Sequence, residues 1–157
     1  MGSFRKLLYH IILTPYKREH VLGGQNGHRL YKYITTVSNN CGCPLYAING
    51  MNDHIHILVY IRPDISISDY IKRIKVTSSK FIKENNMLPY FKKWATGYSI
   101  FTCCSNIKNT VKSYIQNQEE HHRKKSLYEE IHDLLDDETI FKRSTPLWNR
   151  GCLVFGY

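Results

Sequence analysis

Asn52-Asp53-His54-Ile55-His56-Ile57-Leu58-Val59-Tyr60-Ile61 is the stretch from which the fold can be read. Side chains alternate along a strand, so Ile55, Ile57, Val59 and Ile61 make a continuous apolar face, and His54, His56, Leu58 and Tyr60 line the other. One face calls for helices to cover it. Leu45–Asn49 precedes this strand through Gly50-Met51-Asn52, a hairpin signal. Further upstream, Lys6–Thr14 alternates in the same way: Tyr9, Ile11 and Leu13 share one face, Leu8, His10 and Ile12 the other, and Pro15 stops the strand. Between these strands, after the Gly23-Gly24 loop, His28–Ser38 places Leu30, Tyr33, Ile34 and Val37 at helical spacing. Asn39-Asn40, Gly42 and Pro44 end that helix.

Downstream the pattern repeats. Ser66 and Asp69 resemble a capping box, opening a helix to about residue 85 whose stripe is Ile67, Tyr70, Ile71, Ile74, Phe81 and Ile82. Trp94–Cys103 reads as a fourth strand, with Gly97 as a possible bulge, and Asn106 as the cap of a helix carrying Ile107, Val111 and Ile115. The order βαββαβ-α predicts a ferredoxin-like α+β fold: a four-stranded antiparallel sheet with helices on one face and the other face open. A last helix starts at Ser126 and Glu129, with Leu127, Ile131, Leu134 and Leu135 on one side. Residues 1–137 read as one domain and 138–157 as a tail with no role that the sequence supplies.

The composition narrows the function. Of 157 residues, 22 are Lys or Arg and 13 are Asp or Glu, a formal +9 that favours a polyanionic partner, nucleic acid ahead of lipid. No apolar run approaches the roughly 20 residues that span a bilayer. The five cysteines lack the C-x2-C spacing of structural zinc sites and read as reduced thiols of the cytosol. The expected location is the bacterial cytosol, in association with the nucleoid during action.

Two constellations carry chemistry. His54 and His56 lie two apart on one strand face, roughly 6.5–7 Å between Cα atoms, so both rings can lean onto one divalent cation. An ordinary polar face carrying two histidines is the other reading. Tyr114 and Gln118 are i and i+4 on the helix after the fourth strand, a phenol and a carboxamide one above the other. A Gln oxygen with two imidazoles and water suits Mg2+ or Mn2+ better than a closed zinc site. Ile107, Val111 and Tyr114 also form a helical stripe, so a core position for the phenol stays open. His10 reads as a sheet residue rather than a ligand.

In combination, four stretches in this order resemble the single-tyrosine transposases of the HUH nuclease superfamily, which include the REP-associated tyrosine transposases. They are Tyr9-His10-Ile11-Ile12-Leu13-Thr14-Pro15 with Lys17-Arg18, Asp53-His54-Ile55-His56-Ile57-Leu58, Lys93-Trp94-Ala95-Thr96-Gly97-Tyr98-Ser99, and Tyr114-Ile115-Gln116-Asn117-Gln118-Glu119-Glu120-His121-His122. The resemblance implies His54, His56 and Gln118 as metal ligands and Tyr114 as the nucleophile. It further implies single-stranded DNA bearing a hairpin as substrate, a 5′-phosphotyrosyl link with a free 3′-OH, and a homodimer with active sites shared between subunits. Such chemistry needs a cation, because a phenol attacks an anionic phosphodiester only when charge on its oxygens is neutralised. A phenol with a pKa near about 10 also needs help losing its proton.

Lys17, Arg18, Lys72, Arg73, Lys92, Lys93, Lys112 and Arg123 are the candidate phosphate contacts, weighed against an ordinary solvated surface. Two rival functions stand beside the transposase. One is a ferredoxin-like module that binds single-stranded nucleic acid without cutting it. The other is a histidine-triad phosphohydrolase, whose next alternating histidine is replaced by Leu58.

Overall fold

The computed structural model describes residues 8–103, 107–121, 126–129 and 131. Four strands, β1 (Leu8–Leu13), β2 (Leu45–Met51), β3 (His54–Tyr60) and β4 (Ser99–Cys103), form one sheet in the order β2-β3-β1-β4. The pairs β1/β3, β1/β4 and β2/β3 are all antiparallel, the arrangement expected of a ferredoxin-like chain. Helices α1 (Gly24–Asn40) and α2 (Ile67–Glu84) follow β1 and β3. They cover the face of Ile11, Leu13, Ile55, Ile57 and Val59, closing a core that includes Leu30, Ile34, Tyr70, Ile71 and Ile74. Burying each such side chain contributes about 1.5–3 kcal/mol, which makes this layer the main source of stability.

Both serine N-caps form, and the one at Ser126 is a full reciprocal box. The Asp69 amide donates to Ser66 Oγ at 3.0 Å, and the Glu129 amide donates to Ser126 Oγ at 3.3 Å while the Ser126 amide donates to the Glu129 carboxylate at 2.7 Å. Helix α1 starts earlier than its apolar stripe. Gly27 permits this, because a Cβ there would stand 2.1 Å from the Leu22 carbonyl oxygen. The hairpin turn is Asn52-Asp53, with Gly50 and Met51 still inside β2. At Gly50 a Cβ would lie 2.2 Å from the His54 carbonyl oxygen, so this close approach explains the glycine.

The fourth strand is shorter than its aromatic pattern suggests. Trp94 makes only an isolated bridge to Pro15, and pairing resumes at Ser99. In between, the carbonyls of Ala95, Thr96 and Gly97 converge on Lys75 Nζ at 2.9, 2.9 and 3.0 Å. A side chain satisfies these backbone groups in place of a strand partner. Asn106, Leu134 and Leu135 lie outside the described residues, as does the tail from residue 138. Among the described residues no helix is long and apolar enough to cross a membrane.

The second face of the sheet is covered as well, contrary to the open face the sequence suggested. Helix α3 (Lys108–Gln116) lies across it, packing Ile115 against Ala47 and Leu58, with Val111 and Tyr114 alongside. Asn49 Nδ2 donates to the Gln116 carbonyl at 3.0 Å and ties the helix end to β2. A short helix, α4 (Gln118–His121), follows after a turn at Asn117.

Candidate active site

The strand ladders place the titratable groups. His56 stands opposite Ile12 on β1 and Asn49 on β2, and His10 stands opposite Leu58 on β3 and Phe101 on β4. Opposed residues share a face, so His10, His54 and His56 crowd together beneath α3, all buried. The rings of His54 and His56 meet edge to face with centroids 4.9 Å apart. His10 and His56 stack at 5.1 Å.

Each ring of the pair is held through Nδ1. The His54 Nδ1 lies 2.7 Å from Asp53 Oδ1, and the His56 Nδ1 lies 2.8 Å from His10 Nε2. A cation would therefore be met through Nε2 of both rings. Asp53 occupies the hairpin turn, which is fixed by the amides of Val21 and Leu22 donating to the Asn52 carbonyl at 2.8 and 2.9 Å. Burial raises the pKa of its carboxyl, but hydrogen bonds from His54 and Arg18, and the charges behind them, outweigh burial and hold it well below the usual carboxylate range. Burial pushes His10 down to about 4, so its ring is neutral near pH 7.

Arg18 reaches Asp53 from a turn with unusual backbone. Arg18 Nη2 donates to Asp53 Oδ2 at 2.5 Å. Lys17 and Arg18 both adopt left-handed φ angles, 56° and 54°, each costing about 1–2 kcal/mol for a residue with a Cβ. Bonds from the Tyr16 amide to the Lys93 carbonyl and from the Arg18 amide to the Pro15 carbonyl, both 2.9 Å, hold the turn in place.

Tyr114 comes to the histidines from α3 of the same chain. Its ring stands edge-on to His56 at 6.2 Å and to His10 at 6.3 Å between centroids, and it is only half-buried. This is neither a ring sunk in hydrocarbon nor one remote from the imidazoles. Gln118 is fully buried one turn further on, with Nε2 at a long 3.5 Å from the Tyr114 carbonyl. The expected continuous helix from Tyr114 to Gln118 is broken at Asn117, yet that contact keeps the two residues together. The donor set of two imidazoles and a carboxamide fits a hard divalent cation that retains some water. Among the described residues, no three His, Cys, Asp or Glu side chains are grouped to hold a metal.

The basic residues divide. Lys17, Arg18 and Lys93 gather around the left-handed turn, with Lys17 and Lys93 Nζ 5.5 and 4.6 Å from the Tyr16 ring centre. Lys92 pairs with Glu19 at 2.7 Å. Lys72 lines an open groove of about 1000 Å3 between α2 and the 94–98 segment, shared with Lys75, Lys80, Lys83 and Lys93. Arg73 donates to Cys41 Sγ at 3.2 Å on the helix side of the sheet. Lys112 is part-buried on α3, and Arg123 lies outside the described residues. Trp94 is core, its Nε1 donating to Ser78 Oγ at 2.9 Å. The sequence reading missed Asp53 as a partner of His54, and it took His10 for a satisfied sheet residue without naming His56 as the group that satisfies it. The Asp53-His54 adjacency was a usable signal for the first; His10 had none without the strand register.

Three comparisons bear on this arrangement. The model of the IS200-like transposase family matches residues 3–118. The ISDra2 transposase TnpA of Deinococcus radiodurans is 26% identical over 126 residues, spanning 74% of this chain and 87% of the relative. Among solved structures, a transposase from Deinococcus radiodurans superimposes with a TM-score of 0.60 at 25% identity, over 75% of this chain and 95% of that one. A REP-associated tyrosine transposase bound to a REP hairpin shares the fold, with a TM-score of 0.56 at 14% identity over 78% of this chain and 74% of that one.

Proposed function

Since the chain belongs to the IS200-like transposase family, we propose that it cleaves and rejoins single-stranded DNA near hairpins, with Tyr114 as nucleophile and His54, His56 and Gln118 holding Mg2+ or Mn2+. The observation that carries this reading is the Tyr114 ring at 6.2 Å from His56, edge-on and half-exposed, beside a pair of buried imidazoles. The cation supplies charge neutralisation at the phosphodiester's non-bridging oxygens when bound.

The chain's own residues do the rest. The Tyr114 phenol gives up its proton to solvent and its oxygen forms a bond to phosphorus as the bond to the 3′ oxygen breaks; the leaving 3′ oxygen takes up a proton, giving a 5′-phosphotyrosyl link and a free 3′-OH. Attack by a 3′-OH on that link rejoins strands without a nucleotide energy source, because the phosphodiester's energy is kept in the covalent bond. Arg18 and Asp53 orient His54. Lys17 and Lys93, with Tyr16 between them, hold phosphate and stack on an unpaired base next to the site. Lys72, Arg73, Lys92 and Lys112 are proposed as more distant phosphate contacts, and Arg123 as a further phosphate contact. A homodimer is also proposed. The tyrosine of one chain already stands at its own histidines, so sharing sites between subunits would repeat this geometry by exchange of α3.

The test is covalent capture. Labelled single-stranded hairpin DNA incubated with the protein and Mn2+ yields a band of retarded mobility on a denaturing gel. Tyr114→Phe lowers its yield by at least about 1000-fold, the scale for removing a nucleophile. His54→Ala suppresses it in a way that excess Mn2+ partly restores. Undiminished adduct in the Phe variant would identify another nucleophile, and no adduct with the wild type would favour the binding module.

A further inference from the structure

His54 and His56 are oriented by chemically different groups. Asp53 is a carboxylate and can only accept, so the 2.7 Å contact fixes the proton of His54 on Nδ1 and directs the Nε2 lone pair away from it. His10 is an imidazole, and its 2.8 Å contact with His56 admits two arrangements. If His10 Nε2 carried the proton, neutral His56 would have its own proton on Nε2 and could not ligate through that atom. If His56 Nδ1 carries it, His10 accepts through Nε2 and the Nε2 of His56 bears a lone pair. Only the second arrangement makes the two rings equivalent toward one cation.

We infer that His10 is a positioning residue: a neutral acceptor that holds His56 in the Nδ1–H tautomer, as Asp53 does for His54. This rests on the metal-ligand reading of His56 given above. The register makes the role possible. His10 lies opposite Leu58, two residues along β3 from His56, and diagonal neighbours about 7–8 Å apart are within reach of ring side chains. Phe101, 6.0 Å away between ring centroids, and Tyr114, at 6.3 Å, flank the His10 ring. A second carboxylate in this place would orient His56 equally well, but it would add negative charge beside an anionic phosphodiester. A neutral ring orients without that repulsion.

The experiment uses the full chain labelled with 15N-histidine, free of metal, with long-range 1H–15N spectra that report which nitrogen of His56 is protonated. Mn2+ affinity is followed in parallel by electron paramagnetic resonance. The wild type is expected to show His56 protonated on Nδ1. His10→Ala mixes the tautomers and weakens Mn2+ binding about 10–100-fold. His10→Gln, whose carboxamide oxygen accepts a hydrogen bond, recovers the wild-type tautomer and most of the affinity. Recovery by Gln also separates positioning from a loss of fold, should the Ala variant be unstable. His56 protonated on Nε2 in the wild type, or unchanged Mn2+ affinity in His10→Ala, would overturn the inference alone. Failure of the wild type to bind Mn2+ at all would overturn the metal reading beneath it and the inference together.

Discussion

The two faces of the sheet are built to different standards. On the α1/α2 face, Ile11, Leu13, Ile55, Ile57 and Val59 present only hydrocarbon to the helices, and the Tyr70 hydroxyl buried there is met by Ser38 Oγ at 2.8 Å. On the α3 face the same strands contribute His10, His54 and His56, buried under a smaller apolar cluster of Ala47, Leu58 and Ile115. Burying polar rings stabilises less than burying hydrocarbon and requires partners for each. One face therefore holds the fold together, and the other gives up stability to bury the groups of the proposed site.

That contrast can be broken by substitution. Ile57→Ala on the first face is expected to cost about 2–5 kcal/mol in urea unfolding, because it leaves a cavity in a packed layer. A loss below about 1 kcal/mol would show that this layer is not the foundation described.

A second probe is pH. The folded pKa of His10, about 4, lies below its ordinary value of 6.5, so the fold favours the neutral ring. Stability from this group is complete above pH 6.5, declines as pH falls, and levels off below about 4. The difference between wild type and His10→Gln in metal-free buffer should reach roughly 3 kcal/mol over that window. Parallel curves for the two proteins would contradict the burial of His10.

The smallest effect is the most discriminating. Replacing His10 and His56 together by leucine removes both ends of one hydrogen bond and should leave stability within about 1 kcal/mol of wild type, whereas either single replacement costs about 1–3 kcal/mol. A double replacement as costly as Ile57→Ala would place both faces on the same footing.

Much of this was legible in the sequence, and the failures have physical causes. Strand β3 and helix α2 were read almost to the residue, because alternation and helical periodicity are local and their caps are local too. The fourth strand was overextended because nothing in Trp94–Gly97 announces that Lys75, some twenty residues earlier, takes its carbonyls. The Tyr114 helix was expected at the histidines from resemblance, but that its apolar stripe would close the face expected to be open was not, since periodicity reveals a helix's stripe and not what it covers. His54, His56 and Tyr114 were singled out by spacing and resemblance. The role of His10 depends on pairing across 46 positions of sequence, which no local pattern encodes.

The imidazoles sit on β1 and β3, the two inner strands, each bonded along both edges. Tyr114 rides on a nine-residue helix secured by a modest patch and by the Asn49 tether. Amide hydrogen exchange should then register two tempos, slow at the anvil and fast at the hammer. In the proposed reaction a strand joined to Tyr114 would travel with the looser part while the proposed seat of the ion stays still.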